Sequence, residues 1–192
     1  MIYIIRHGET ELNRRFVLQG RSDAPLNDLG VAQAREAGQA LRERGIRFDA
    51  VYSSPLRRAI RTAELVSGLT PVIDDRLIEM DYGPYEGQDL RKLPPELLHF
   101  FSDFVRHPAP DGMEPLASVT ARLGALLEEL RRDPPSGNVL LSTHAIAMKG
   151  ALEYLTPDAG GAWWSKHIGN CAVYITDFVH GEYTVPMELK FS

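Results

Sequence analysis

Met1-Ile2-Tyr3-Ile4-Ile5, cut off by Arg6-His7-Gly8-Glu9-Thr10, is the stretch that decides the fold. Apolar and β-branched residues on both faces suit a strand buried inside a sheet. The polar run that follows then stands at a strand's carboxyl end, where open α/β sheets bind ligands. Arg is the side chain best shaped for phosphate, and a neutral His can serve as nucleophile. Gly8 lets backbone approach a ligand closely. Taken alone, the motif is also what a solvated turn looks like, so the rest of the chain has to decide.

Working outward, Arg6–Asp28 reads as a long loop, of the kind that is usually functional or disordered. Asn27 caps a helix that keeps Val31, Ala34, Gly38 and Leu41 at helical spacing and stops at Gly45. Asp49–Ser53 reads as a second strand. Ser54 is expected to cap the next helix, with Pro55 in its first position and Leu56, Ile60, Ala63 and Val66 as the buried stripe. Gly68 ends that helix, and Pro71–Ile73 suggests a third strand. Pro84–Pro115 holds six of the 13 prolines and reads as an insert over the sheet, with a helical window at Glu96–Arg106. Pro115 starts an amphipathic helix with Val119, Leu123, Leu126 and Leu130 on one face. Asn138–Ser142 is a buried strand ending at Thr143-His144, and Ala145–Tyr154 is the next helix. Asn170–Asp177 and Glu182–Lys190 read as strands joined by a tight turn at His180-Gly181. This alternation predicts an α/β fold, a three-layer α/β/α sandwich around a mainly parallel sheet. It also puts His7 and His144 at the carboxyl ends of two strands.

Composition bounds the answer. A chain of 192 residues points to one domain, with a core that needs no staples. The net charge of −5 argues against duplex nucleic acid as a partner. One cysteine, Cys171, leaves no disulfide framework or multi-cysteine zinc module and suits a reducing cytosol. No apolar run approaches the roughly 20 residues of a membrane span, and no signal peptide is read at the N-terminus. The expectation is a cytoplasmic protein. Its oligomeric state stays open, a homodimer included.

Further polar clusters recur at the right places. Ser54-Pro55-Leu56-Arg57-Arg58-Ala59 sets arginines in the first turn of a helix, where the dipole favours anions instead. Surface solubility accounts for Arg57 and Arg61, whereas Arg58 beside a helix N-terminus suggests an anion site. In Leu77-Ile78-Glu79-Met80-Asp81, Glu79 has the more apolar flank, as a carboxyl group kept protonated for acid catalysis requires.

Together these blocks resemble the histidine phosphatase superfamily, the phosphoglycerate mutase-like family. The resemblance runs through Arg6-His7-Gly8-Glu9-Thr10, Asn13, Gln19-Gly20, Asp23, Pro25-Leu26, Leu29-Gly30 and Gln33-Ala34. It continues through Ser53–Ala59, Thr62-Ala63, Leu77, Glu79, Gly83 and Glu86-Gly87, then Ser142-Thr143-His144 and, more weakly, Asn170-Cys171. Four separated motifs in one order cover nearly the whole chain. The resemblance implies that His7 attacks phosphorus and carries the phosphoryl group. Arg6, Arg58 and His144 would surround its oxygens, and Glu79 would protonate the leaving oxygen. Asn13, Gln19 and Gly20 fall where relatives contact substrate, and Thr10, Tyr82 and Ala145 complete the substrate-binding candidates. The sequence departs from the family at Ala145, where Gly commonly follows the second His. It departs again at Glu114-Pro115, where a Glu-Ser pair often opens the long helix.

The function implied is a phosphomonoesterase acting on a small phosphorylated metabolite, with no metal and no cofactor. The alternatives are a phosphoglycerate mutase, a non-catalytic phosphate-binding module, and a metal hydrolase built on His7, His144 and Glu79. Arg6 and Arg58 would repel a cation, which weighs against the last. The chain is expected to form a single domain, 1–192, whose 84–115 insert covers the substrate. His99 and His107 read as surface residues, His180 as a turn residue, His167 as a core or lid residue, and Trp163-Trp164 as packing.

Overall fold

The computed structural model describes residues 1–191. In chain order they form β1 (Ile2–Arg6), α1 (Glu11–Arg14), α2 (Asp28–Glu43), β2 (Ala50–Ser53), α3 (Arg57–Ser67) and β3 (Val72–Ile73). There follow α4 (Pro95–Ser102), α5 (Leu116–Arg132), β4 (Val139–Thr143), α6 (Ala145–Leu155), β5 (Val173–Thr176), β6 (Phe178–Val179), β7 (Glu182–Tyr183) and β8 (Met187–Leu189). The main sheet runs β3-β2-β4-β1-β5-β8. Its first four strands are parallel, while β5 and β8 are antiparallel to their neighbours.

The opening pentapeptide is buried on both faces, as its composition requires. Ile2 and Ile4 pack with Val139, Leu141 and the apolar stripes of α5 and α6. Tyr3 and Ile5 turn the other way, onto Leu140, Val51 and the inner faces of α2 and α3. Each such side chain contributes about 1.5–3 kcal/mol of burial. These two cores make the three layers. The register sets Arg6 opposite Thr143 and Ser53 opposite Ser142, so three parallel strands deliver their carboxyl ends to one spot.

Several local expectations are corrected. Ser54 does not cap α3: the helix starts at Arg57, Leu56 stands at the cap, and the Asp23 carboxylate accepts the Arg57 N–H at 2.7 Å. The helical window at 96–106 closes at Ser102, because Asp103 turns its carboxylate onto the N–H groups of Val105 and Arg106. The Arg6–Asp28 loop contains a single helical turn, α1, where Thr10 and Asn13 cap each other. The last strand divides at Pro186, which has no N–H for a ladder. Its first part, β7, forms a two-residue ribbon with β6 around His180-Gly181, and its second part, β8, returns to the main sheet.

Gly8 also has a different reason from the one read in the sequence. A Cβ there would run into the Gly30 carbonyl, and a Cβ on Gly30 would run into the Glu9 carbonyl. Two glycines let the turn after β1 lie directly on the start of α2. Gly8→Ala should therefore destabilise the protein by about 1–3 kcal/mol through overpacking, read as a lower urea midpoint. An unchanged midpoint would show that this backbone contact is not tight in solution.

Candidate active site

His7 follows β1 and is nearly sealed from solvent at 4% exposure. Its Nδ1 lies 2.7 Å from the Gly8 carbonyl, which can only accept, so Nδ1 carries the proton. Nε2 is left with its lone pair, and Arg58 Nε donates to it at 3.3 Å. The peptide around His7 is pinned as well. Its N–H donates to the Thr143 carbonyl at 3.0 Å, and its carbonyl accepts from Asn170 Nδ2 at 3.0 Å.

Arg58 comes from the first turn of α3 and is completely buried. The same Nε–H reaches His144 Nδ1 at 3.2 Å, while Nη1 and Nη2 donate to the carbonyls of Ser22 and Gly20, each at 2.6 Å. With its amide oriented to satisfy both ends, Gln19 turns its nitrogen to Thr10 Oγ1 at 2.7 Å. Its oxygen then faces Arg58 Nε at 3.0 Å. Burial lowers the Arg58 guanidinium to about 10, still protonated at neutral pH. His144, which ends β4 and opens α6, passes its other nitrogen to Ser54 Oγ at 2.7 Å. Since Arg58 donates to Nδ1, the His144 proton sits on Nε2 and Ser54 accepts it. The two imidazoles lie 5.1 Å apart between ring centres. Burial, and then Arg58, hold both well below the ordinary histidine value, so both rings are neutral.

Arg6 hangs its Nη1 on the Ile168 carbonyl at 2.5 Å, and its Nε–H is buried with no partner among the described residues. Glu79 approaches from the segment after β3. Its Oε1 accepts from the N–H groups of Met80 (2.8 Å) and Ala147 (2.9 Å), and Oε2 from Ile146 at 3.2 Å. The carboxylate thus sits on the amino end of α6, and its charge acts on both Arg6 and Arg58. Tyr82 is buried beside it, and burial, followed by the Glu79 charge, pushes its phenol well up.

The structure therefore gathers Arg6, His7, Arg58, His144, Gln19 and Gly20 into one cluster, with Glu79 and Tyr82 alongside. Thr10 is fully buried and spends its hydroxyl on Asn13 and Gln19, so it positions the cluster instead of facing a ligand. Asn13 gives its oxygen to the Thr10 N–H and keeps its amide nitrogen for other partners. Ala145 opens α6 just before the two N–H groups that hold Glu79. Among the described residues, no three His, Cys, Asp or Glu side chains converge in a metal-holding group.

Across residues 2–187 the sequence matches the family model of the histidine phosphatase superfamily, branch 1. The chain belongs to that superfamily. It is 31% identical over 179 residues to a Hydrogenobacter thermophilus protein named "putative phosphoserine phosphatase 2", covering 90% of this chain and 86% of that one. A crystal structure of phosphoserine phosphatase from Entamoeba histolytica in complex with 3-phosphoglyceric acid superposes with a TM-score of 0.85. It is 26% identical and covers 99% of this chain and 96% of that one. A phosphoglycerate mutase from Thermus thermophilus superposes with a TM-score of 0.75 at 28% identity, over 98% and 99% of the two chains. The fold is phosphoglycerate mutase-like.

This histidine phosphatase superfamily member also uses residues to which the sequence reading gave no role in the site. Ser54 takes the Nε2 proton of His144, and Thr62 Oγ1 accepts the Gly8 N–H at 3.1 Å. Glu86 accepts the N–H groups of Gly20 (2.8 Å) and Ser22 (2.9 Å) and so holds the loop whose carbonyls grip Arg58. Glu114 accepts the Asp81 N–H at 3.1 Å and pairs with Arg122, which also donates to the carbonyls of Arg76 and Ile78. That pair fixes the segment carrying Glu79. His167 is exposed, so it is not a core residue.

The two neutral histidines set a pH dependence of stability. Unfolding returns them to a value near 6.5, so below that pH the unfolded chain binds more protons than the folded one. Their contribution is complete above pH 6.5 and is lost as pH falls toward their lowered folded values. Urea unfolding should give a lower stability at pH 5.5 than at pH 7.5, with a smaller difference in His144→Gln. Equal stabilities at the two pH values would contradict the buried neutral pair.

Proposed function

We propose that the protein is a phosphomonoesterase that hydrolyses a small phosphorylated metabolite through phosphohistidine on His7. The observation that carries this reading is the His7 ring, locked with Nδ1–H on the Gly8 carbonyl and its lone pair on the side of Arg58. A binding module has no need of a nucleophile fixed in one tautomer. Phosphoryl transfer depends mainly on positioning and on charge around three equatorial oxygens. Arg6 and Arg58 supply that charge without a metal, and His144 can donate once Ser54 releases its proton.

In the first half, His7 Nε2 bonds to phosphorus as the ester P–O bond breaks, and Glu79, having taken the proton of the bound phosphate monoanion, passes it to the leaving oxygen. In the second half, the Glu79 carboxylate takes a proton from water. The hydroxide bonds to phosphorus, the P–N bond breaks, and inorganic phosphate leaves. One carboxyl group serves both halves, as microscopic reversibility favours. We read the chain as one domain whose 84–115 segment covers the substrate. In support, Phe101 of that segment stacks edge-on with Tyr82 at 6.4 Å, and Phe100 is buried against α5 and α6. Its basic residues are few. Arg91 is paired with Asp89, Arg106 with Asp103, and Lys92 is exposed. A mutase must retain a bisphosphorylated intermediate with extra cations, so water is the expected acceptor.

Two measurements test this. Glu79→Gln should slow an alkyl phosphate about 10²–10⁴-fold, and p-nitrophenyl phosphate, whose leaving group needs no proton, much less. Equal slowing of both would remove Glu79 as the acid. With 3-phosphoglycerate and 2,3-bisphosphoglycerate, phosphate release should outrun formation of 2-phosphoglycerate. Isomerisation faster than release by orders of magnitude would make the protein a mutase.

A further inference from the structure

The turn that leads into β5 folds over the end of β1 and takes hold of the backbone there. Arg6 N–H donates to the Ala172 carbonyl at 3.1 Å, and Cys171 N–H donates to the Arg6 carbonyl at 3.1 Å, so the β1–β5 ladder runs one step beyond the paired strands. Ala172 N–H returns to the Gly169 carbonyl at 3.2 Å and closes a four-residue turn, 169–172. From this turn Asn170 reaches across, its Nδ2 donating to the His7 carbonyl at 3.0 Å. A carbonyl only accepts, which fixes the end of the Asn170 amide that faces His7.

The turn carries backbone strain. Cys171 stands at its third position with φ +55°, in the left-handed region that turns normally give to Gly or Asn. Its thiol is buried in the core between the sheet and the helices α2 and α3, which compensates for that conformation. Its N–H also leans on the His7 carbonyl at 3.4 Å. An outlier beside a reacting group points to a backbone whose course matters for function.

What the turn holds is the peptide plane between His7 and Gly8. Asn170 takes the carbonyl of that plane, and Thr62 Oγ1 takes its N–H at 3.1 Å. The Thr62 hydroxyl proton goes to the Arg58 carbonyl at 2.8 Å, so its lone pair is the part turned to Gly8. Gly8 itself has no Cβ to limit its backbone. Rotation of the plane would swing the Gly8 carbonyl away from the His7 Nδ1 proton, which it accepts at 2.7 Å. Two side chains far apart in sequence therefore steady the carbonyl that chooses the tautomer of His7.

Building on the phosphomonoesterase reading, we propose that Asn170 is a positioning residue of the reaction. Its amide holds the 7–8 peptide plane so that the Gly8 carbonyl keeps the His7 proton on Nδ1 and Nε2 stays free for phosphorus. Asn170 thus acts on the rate at which His7 attacks, and not on the grip on phosphate, which the same reading gives to Arg6 and Arg58. On its other side Asn170 lines a cavity of about 360 Å³ with Gln33, Glu36 and Ala37, so a replacement of similar shape fits there without repacking the core.

Asn170→Leu keeps the shape of the side chain and removes its donors. With p-nitrophenyl phosphate, whose leaving group needs no proton, single-turnover formation of phosphoenzyme should slow about 10- to 100-fold, the scale of a misplaced reacting group. The inhibition constant of inorganic phosphate should stay at its wild-type value. Histidine ¹⁵N spectra of the resting protein should place the His7 proton on Nδ1 in the wild type and divide it between the two nitrogens in the variant. Thr62→Val frees the other end of the same plane and should give the same signatures, with losses that do not multiply in the double variant. Asn170→Asp, which keeps the shape but cannot donate, supplies these readings if the Leu variant does not fold. Unchanged attack, a loss seen only in phosphate binding, or slowed attack with the His7 proton still wholly on Nδ1 would overturn the proposal, and a wild-type phosphoenzyme on His7 would spare the phosphatase reading. A wild type that forms no phosphoenzyme would overturn both.

Discussion

The arrangement depends on one buried N–H: Arg58 Nε, shared between His7 Nε2 at 3.3 Å and His144 Nδ1 at 3.2 Å. A guanidinium with no solvent exposure survives only if its other donors are satisfied, and here the carbonyls of Gly20 and Ser22 take them. Everything that holds those carbonyls in place is therefore part of the site. Glu86 ties down the amide groups of the same loop, and Asp23 fastens it to the start of α3 through Arg57. Removing Arg58 would leave two imidazoles without their shared donor and a loop without its anchor.

This constraint explains how the sheet and the loops divide the work. Parallel strands bring His7, Ser54 and His144 to one edge because their register is fixed by residues buried on both faces. A slip of one residue in β1 would exchange Ile4 and Ile5 between the two cores, so strand register and histidine position are a single fact. Glu79 is held differently. It belongs to an irregular segment, and the Glu114–Arg122 pair and the amino end of α6 do for it what a strand does for His7.

Much of this was legible in the sequence. Apolar runs that end in Arg6-His7 and in Thr143-His144 announced two buried strands with polar ends, and the stripe of α5 followed from spacing alone, while in α2 and α3 Val31 and Ile60 are only half-buried and Leu56 stands before the helix it was read into. What stayed hidden was tertiary. Ser54-Pro55 has the local look of a helix cap, but its hydroxyl goes to His144, 90 residues away. Gly8 looked like room for a ligand and proved to be room for Gly30. Glu114 and Arg122 form an ordinary-looking charge pair until the carbonyls of Arg76 and Ile78 are seen to converge on the same guanidinium. No window of sequence contains both ends of such contacts. The divided C-terminal strand had a local signal in Pro186, which the alternating pattern on either side concealed.

The central claim is that the Gly8 carbonyl holds the His7 proton on Nδ1 and so reserves Nε2 for phosphorus. Rapid acid-free quenching of a reacting sample, followed by heteronuclear NMR on protein labelled with ¹⁵N in histidine, reads which nitrogen is bonded to phosphorus. The account predicts phosphorus coupled to Nε2 of His7 and to no other histidine. A phosphoryl group on Nδ1 of His7, on His144, or on no histidine during turnover would contradict it.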